Sequence, residues 1–194
     1  MPTVTALRAR GSDRVEVELD GLPWRVIPAE AVLRAGLSVG SALERAQARR
    51  LARELRRHDA LARAARALER RDRSARELEE RLGAAGVDPA TRAEVLDAVT
   101  RAGLVDDERF ARSRAEALAL RAWGDAAIRA DLEGRGVPGE LVQQALSALD
   151  PEAERAARVV ERRGRGPQTA RYLAAHGFDS EVVESLVADE AARQ

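Results

Sequence analysis

The cationic side chains are the largest store of chemistry in this 194-residue sequence: there are 33, and every one is arginine. Guanidinium is planar, permanently charged and offers a fork of donors matched to carboxylate or phosphate. Three arginines stand out by spacing. Arg71, Arg121 and Arg162 each lie eleven residues before a leucine, namely Leu82, Leu132 and Leu173. Taken singly, each reads as a cation in the last turn of a helix, complementing the macrodipole. Taken together, on units that stack, they would form a ladder of guanidiniums along one side. The absence of lysine itself reads as a coding bias.

The formal charge is zero, yet it is unevenly spread. From Arg45 to Arg76 there are twelve Arg against four acids, a local net of +8. From Leu82 to Asp150 eight Arg face twelve acids, a net of −4. From Arg155 to Arg171 six Arg meet only Glu161. Overall neutrality argues against a general packaging protein for nucleic acid, while the local excess favours a face for an anionic partner. The candidate contact residues are Arg63, Arg66, Arg70, Arg71, Arg73, Arg121, Arg162, Arg163 and Arg165.

Catalysis finds little support. His58 and His176 lack a partner at ligand spacing, and there is no cysteine, so metal chemistry has few donors. Asp106-Asp107-Glu108 reads as a capping cluster in a first helical turn. The glycines of "RRGRGPQ" (162–168) lack the Gly-Lys-Ser/Thr of a nucleotide-binding loop. Trp24, Trp123 and Tyr172 could stack on bases, but their isolation favours core or interface positions. The expectation is a protein that is no enzyme and carries no cofactor and no metal. Cysteine-free composition and the lack of a long apolar run point to a cytoplasmic monomer without a membrane anchor.

The elements that must carry these arginines can be read from period and punctuation. "RVEVEL" (14–19) alternates, with Gly11-Ser12-Asp13 and Asp20-Gly21 as flanking turns, and "WRVIP" (24–28) returns, giving a β-hairpin or three-stranded meander. A short helix near 29–35 follows. From Ser41 the pattern is helical, with Ser41 and Glu44 as a capping box, and Leu43, Leu51, Leu55, Leu61 and Leu68 on roughly one stripe. His58-Asp59 suggests a break into two helices.

A turn is then repeated three times: "RLGAAGV" (81–87), "DLEGRGV" (131–137) and "YLAAHGF" (172–178). Leu82/Gly86, Leu132/Gly136 and Leu173/Gly177 mark a helix ending in a left-handed glycine. Fourteen and seventeen residues before each leucine stand Leu68 and Ala65, Leu118 and Ala115, Val159 and Ala156, the inward face of a preceding helix. Val95, Val142 and Val183 belong to a following helix. Asp88, Asp107 and Asp150 are expected N-caps, and Ser74 with Glu77 a second capping box. The chain therefore reads as mainly α, with tandem three-helix repeats in an elongated, curved stack after a small N-terminal β-hairpin element. The boundaries are 1–40 for the β element and short helix, 41–58 for a connecting helix, and 59–104, 105–149 and 150–190 for repeats one to three. A DNA-reading helix-turn-helix is disfavoured, since the third helices (138–149 and 180–189) contain no arginine and offer only Gln143 and Gln144 to bases.

The ordered series Arg73-Ser74, Glu77-Leu78, Leu104, Asp106-Asp107, Phe110-Ala111, Arg121-x-x-Gly124, Ile128 and Leu132/Gly136/Val137 resembles the RecX family of bacterial recombination regulators. The resemblance covers roughly residues 55 to 190. It implies tandem three-helix repeats and a partner, the filament of the RecA recombinase. It implies inhibition of RecA ATPase, strand-exchange and co-protease activities, and in some members binding to single- or double-stranded DNA. DNA repair, recombination and the SOS response are the corresponding processes. The alternative, from the residues alone, is a helical-repeat protein acting on DNA directly.

Overall fold

Alternating Val15, Val17 and Leu19 with Glu16 and Glu18 gives a strand one dry and one charged face, and the chain uses both. The computed structural model describes residues 1–187. Three strands, β1 (Val4–Ala9), β2 (Arg14–Leu19) and β3 (Leu22–Pro28), form an antiparallel meander in that order. Asp20 and Gly21, both at positive φ, make the two-residue turn between β2 and β3. Val4, Val17 and Ile27 form a core with Ala31, Val32 and Ala35 of α1 (Ala29–Ala35) and with Leu51. On the opposite face Glu18 pairs with Arg8 and Glu16 with Arg10, at 2.8 and 2.7 Å.

Leu51 lies on α2, which runs unbroken from Arg45 to Leu68. The break expected near residue 58, which separated a connecting helix from the first repeat, is absent. What changes there is the buried face. Leu51 and Leu55 face the sheet core, whereas Ala60, Ala64 and Ala67 are buried further on. From Leu51 to Ala64 the buried direction turns by roughly 140° at 100° per residue. The leucines thus lie on two faces, and an interrupted stripe imitates an interrupted helix. The expected cap also moves. Ser41 hydrogen-bonds the Ser38 carbonyl at 2.6 Å, and the helix begins after Glu44 with no side-chain cap.

Eight more helices follow among the described residues: α3 (Ala75–Ala84), α4 (Pro89–Arg101), α5 (Asp107–Leu120), α6 (Asp125–Gly134), α7 (Gly139–Ser147), α8 (Glu152–Arg163), α9 (Pro167–Ala175) and α10 (Ser180–Val187). The last positions of the expected third repeat, 188–190, lie outside the described residues. Leu82, Leu132 and Leu173 are buried at 2, 0 and 0 % exposure, so each anchors its repeat. Gly86, Gly136 and Gly177 take φ of 77, 75 and 76°, the left-handed stop that the turn requires. Ile128, Leu132, Val142, Leu118 and Phe110 share one core, and Val159, Leu173, Phe178 and Val183 another.

Two N-caps shift by a residue. Asp106, not Asp107, accepts the Arg109 amide and caps α5. Pro151, not Asp150, occupies the N-cap of α8, and Asp150 pairs with Arg158 at 2.7 Å. Asp88 does cap α4, through the Thr91 amide at 3.0 Å, and Ser74 accepts the Glu77 amide at 3.1 Å.

The chain divides into two compact units. One holds Met1–Arg71 and Glu79–Val99, and the other Asp72–Leu78 with everything from Thr100 onward. The second unit contains a joint built twice. Eight residues before its leucine, Ser74 donates its hydroxyl to the Arg135 carbonyl at 2.6 Å, and Gly124 donates its amide to the His176 carbonyl at 2.8 Å. Both acceptors lie three residues past the leucine of the next repeat. The next amides, of Ala75 and Asp125, donate to Asp107 and Glu152 at 2.8 and 2.6 Å. Those carboxylates are the first residues of α5 and α8. A helix start leaves orphan donors, and here the following repeat satisfies them. The threefold turn is therefore a docking element as well as a helix stop.

Candidate functional site

Helix α2 positions the basic stretch. Its exposed arginines Arg45, Arg49, Arg56 and Arg63 fall within about 40° around the axis and span about 27 Å along it. Arg53 and Arg66 flank that stripe. Some of this charge is answered locally. Arg53 lies 3.5 Å from Glu54, Arg56 3.9 Å from Asp88, and the more buried Arg57 3.4 Å from Glu30. Among the described residues, Arg45, Arg49, Arg50, Arg63, Arg66 and Arg70 have no carboxylate within ion-pair distance. Intrahelical pairing therefore does not account for this face.

The repeat alignment of the arginines needs a correction of one residue. Ala65 is exposed, and the buried pair in the first copy is Ala64 and Ala67, matching Ala115/Leu118 and Ala156/Val159. The connection to the leucine is one residue longer in the first copy. Three residues past the buried pair stand Arg70, Arg121 and Arg162, so Arg70 rather than Arg71 is their counterpart. Nor are the three in equivalent helical turns. Arg121 follows the last residue of α5, and Arg162 sits in the last turn of α8. Arg71, Arg73 and Arg165 already interact with other groups of the chain.

In the second unit the structure gathers Arg121, Arg162 and Arg163 around one hollow of about 280 Å³, with Leu120, Ala122 and Tyr172. Tyr172 is not isolated: the Arg163 guanidinium lies 4.0 Å from its ring centre, and His176 stacks on it at 3.9 Å. Ala122 holds a left-handed φ of 61° here, and its methyl packs on the Val159–Leu173 core. Trp123 packs on the core of the second repeat, whereas Trp24 is 40 % exposed beneath Arg25. Among the described residues no cluster of three metal-ligating side chains occurs, and no helix is long and apolar enough to cross a membrane.

Two functional-looking groups turn out to be structural. Arg155, counted with the second basic cluster, is buried at 5 % exposure. It donates to the Trp123 carbonyl at 2.7 Å and the Asp150 carbonyl at 3.0 Å, pairs with Asp125, and lies over Phe178. Asp131 is gripped by Arg114 at 2.9 Å and Arg135 at 2.8 Å, and Arg135 reaches Glu77 at 2.6 Å. Hydrogen bonding from Arg114, then from Arg135, holds the Asp131 carboxyl down to about 2 despite its partial burial. Sequence reasoning missed both, because a buried arginine and an exposed one have the same letter. The only available signal was local: Asp131 and Arg135 stand four apart on one helix and its end.

Comparison with known proteins gives a consistent picture. Residues 60–97 match the first three-helix domain of RecX, and residues 106–146 match the second. A regulatory protein RecX from Chromohalobacter salexigens is 38% identical over 134 residues, covering 64% of this chain and 88% of that protein. Another, from Serratia proteamaculans, is 30% identical over 164 residues, covering 68% of this chain and 98% of the relative. A crystal structure of a regulatory protein RecX shares the fold, with a TM-score of 0.82 at 20% identity over 96% of this chain and 98% of the other.

Proposed function

The chain belongs to the RecX family, and from that premise we propose that it binds the RecA–DNA filament and inhibits or modulates RecA recombinase, ATPase and co-protease activity. It acts as a binding protein rather than an enzyme, in the cytoplasm where RecA works. The observation that carries the reading is the row of exposed α2 arginines without carboxylate partners, set on tandem repeats. A filament repeats its acidic and phosphate groups, so many weak guanidinium contacts add through effective concentration. Such contacts weaken as salt rises, through screening and counterion release.

The test is RecA ATPase on single-stranded DNA, titrated with the purified chain. Inhibition at ratios well below one chain per RecA monomer, relieved by salt, supports the reading. The second reading, direct action on DNA, is favoured by the Arg163–Tyr172–His176 pile, because guanidinium and aromatic planes both stack on bases. Tight, salt-steep binding to DNA with no effect on RecA would select it.

A further inference from the structure

The geometry points to the Arg121–Arg162–Arg163 hollow as a site for one nucleotide unit, its phosphate among the guanidiniums and its base in the adjoining apolar hollow. This narrows the arginine surface to one ligand chemistry and to that extent rests on the proposed function. Three observations carry it. First, Arg121, Arg162 and Arg163 have no ion-pair partner among the described residues. Arg162 spends one donor on the Arg158 carbonyl at 3.2 Å, and Arg163 lies flat on Tyr172. Three like charges around one hollow repel one another, and a doubly charged phosphate relieves that repulsion.

Second, the hollow is small. About 280 Å³ lies at the lower end of small-molecule sites and suits a phosphate with its sugar. Third, it opens into a neighbour. A hollow of about 670 Å³ shares Leu120, Ala122, Val159 and Arg162 with it. Leu120 is 86 % exposed there, an apolar side chain with nothing over it among the described residues. The larger hollow is also lined by Ala119 and Leu149, and by Glu116, Asp150 and Glu161. Those carboxylates exclude a second phosphate but accept hydrogen bonds from base amino and imino groups. A bare anion would use the first hollow alone, and an acidic peptide would meet the carboxylates of the second. A phosphorylated nucleoside uses both.

The nucleotide is either free or one unit of a single strand, and a binding experiment separates these sources. Fluorescein-labelled oligothymidylate is titrated with the full chain and followed by anisotropy, with thymidine monophosphate, thymidine and inorganic phosphate as competitors. The Arg121→Ala/Arg162→Ala double variant, both positions exposed, should bind the strand at least about tenfold more weakly. Its log–log salt slope should fall by about two, one per phosphate contact removed. Arg163→Lys keeps the charge but loses the plane, and should weaken strand binding with the salt slope unchanged. Competition by thymidine monophosphate alone assigns the site to a free nucleotide, and strand binding that resists it assigns the site to a strand. Both outcomes support the site. Parental affinity in the double variant overturns it, as does competition by inorganic phosphate as strong as by thymidine monophosphate. The same variant is assayed on RecA ATPase. Lost inhibition with intact strand binding rejects the nucleotide site and leaves the regulator reading standing. Lost strand binding with intact inhibition keeps both.

Discussion

Glycine at the three repeated turns answers two different demands. At Gly86 only the left-handed backbone requires it, since a methyl there would meet no heavy atom within 4 Å. At Gly136 a methyl would lie 2.0 Å from the Arg76 side chain, and at Gly177 2.6 Å from the Ala127 amide nitrogen. Gly86→Ala should therefore cost about 1 kcal/mol, the left-handed penalty alone. Gly177→Ala should cost about 2–4 kcal/mol, because backbone cannot step aside as a side chain can. Urea denaturation of the three alanine variants checks the order, and equal losses would contradict the joint. Asp131 gives a second test. Its carboxyl is held at about 2, below an unfolded value near 3.9. A depressed value stabilises the fold above the unfolded value and loses that stability as pH falls through the folded one. The loss should amount to about 2 kcal/mol between about pH 5 and pH 2. Asp131→Asn should flatten that acid limb, seen as a smaller difference in urea midpoint between neutral and acid pH.

At the scale of elements, much was legible from the letters. The alternation of β2, the Asp20-Gly21 turn, the helix over 29–35 and the three Leu/Gly stops are local signals, and local chemistry decides them. Where reasoning slipped, a tertiary demand had overridden a local one. Helix α2 changes its buried face between Leu51 and Ala64, which imitates a break at His58. Alanine at 64, 65 and 67 is equally apolar, so only packing says which of them faces inward. Asp107 looked like a cap for its own helix, yet it caps the Ala75 amide of another. The arginine surface was legible as a charge excess, but not the burial of Arg155 or the company of Tyr172. The register of the second repeat is tested by Leu132→Ala, which removes a fully buried side chain from the Ile128–Val142 core. It should cost about 2–5 kcal/mol by chemical denaturation, and an unchanged midpoint would place Leu132 outside that core.

For the whole molecule, the chain couples folded repeats to a surface whose charge the fold does not consume. Carboxylates at the repeat joints are used up by amides and by Arg135, whereas the α2 arginines remain unmatched. That division lets the binding face be altered without touching the core. Arg63, Arg66 and Arg70 are exposed and unpaired among the described residues, so replacing all three with Glu should leave the circular dichroism spectrum and melting midpoint near those of the parent. The measurement that bears most directly on function is RecA ATPase on single-stranded DNA, titrated with the parent and with this triple variant at low and at moderate salt. The parent should inhibit, less so at the higher salt. The folded triple variant should need at least about tenfold more protein for the same effect, since reversed charges at an anionic surface repel. Equal inhibition by parent and triple variant would contradict the account and place the regulatory contact away from the α2 arginines.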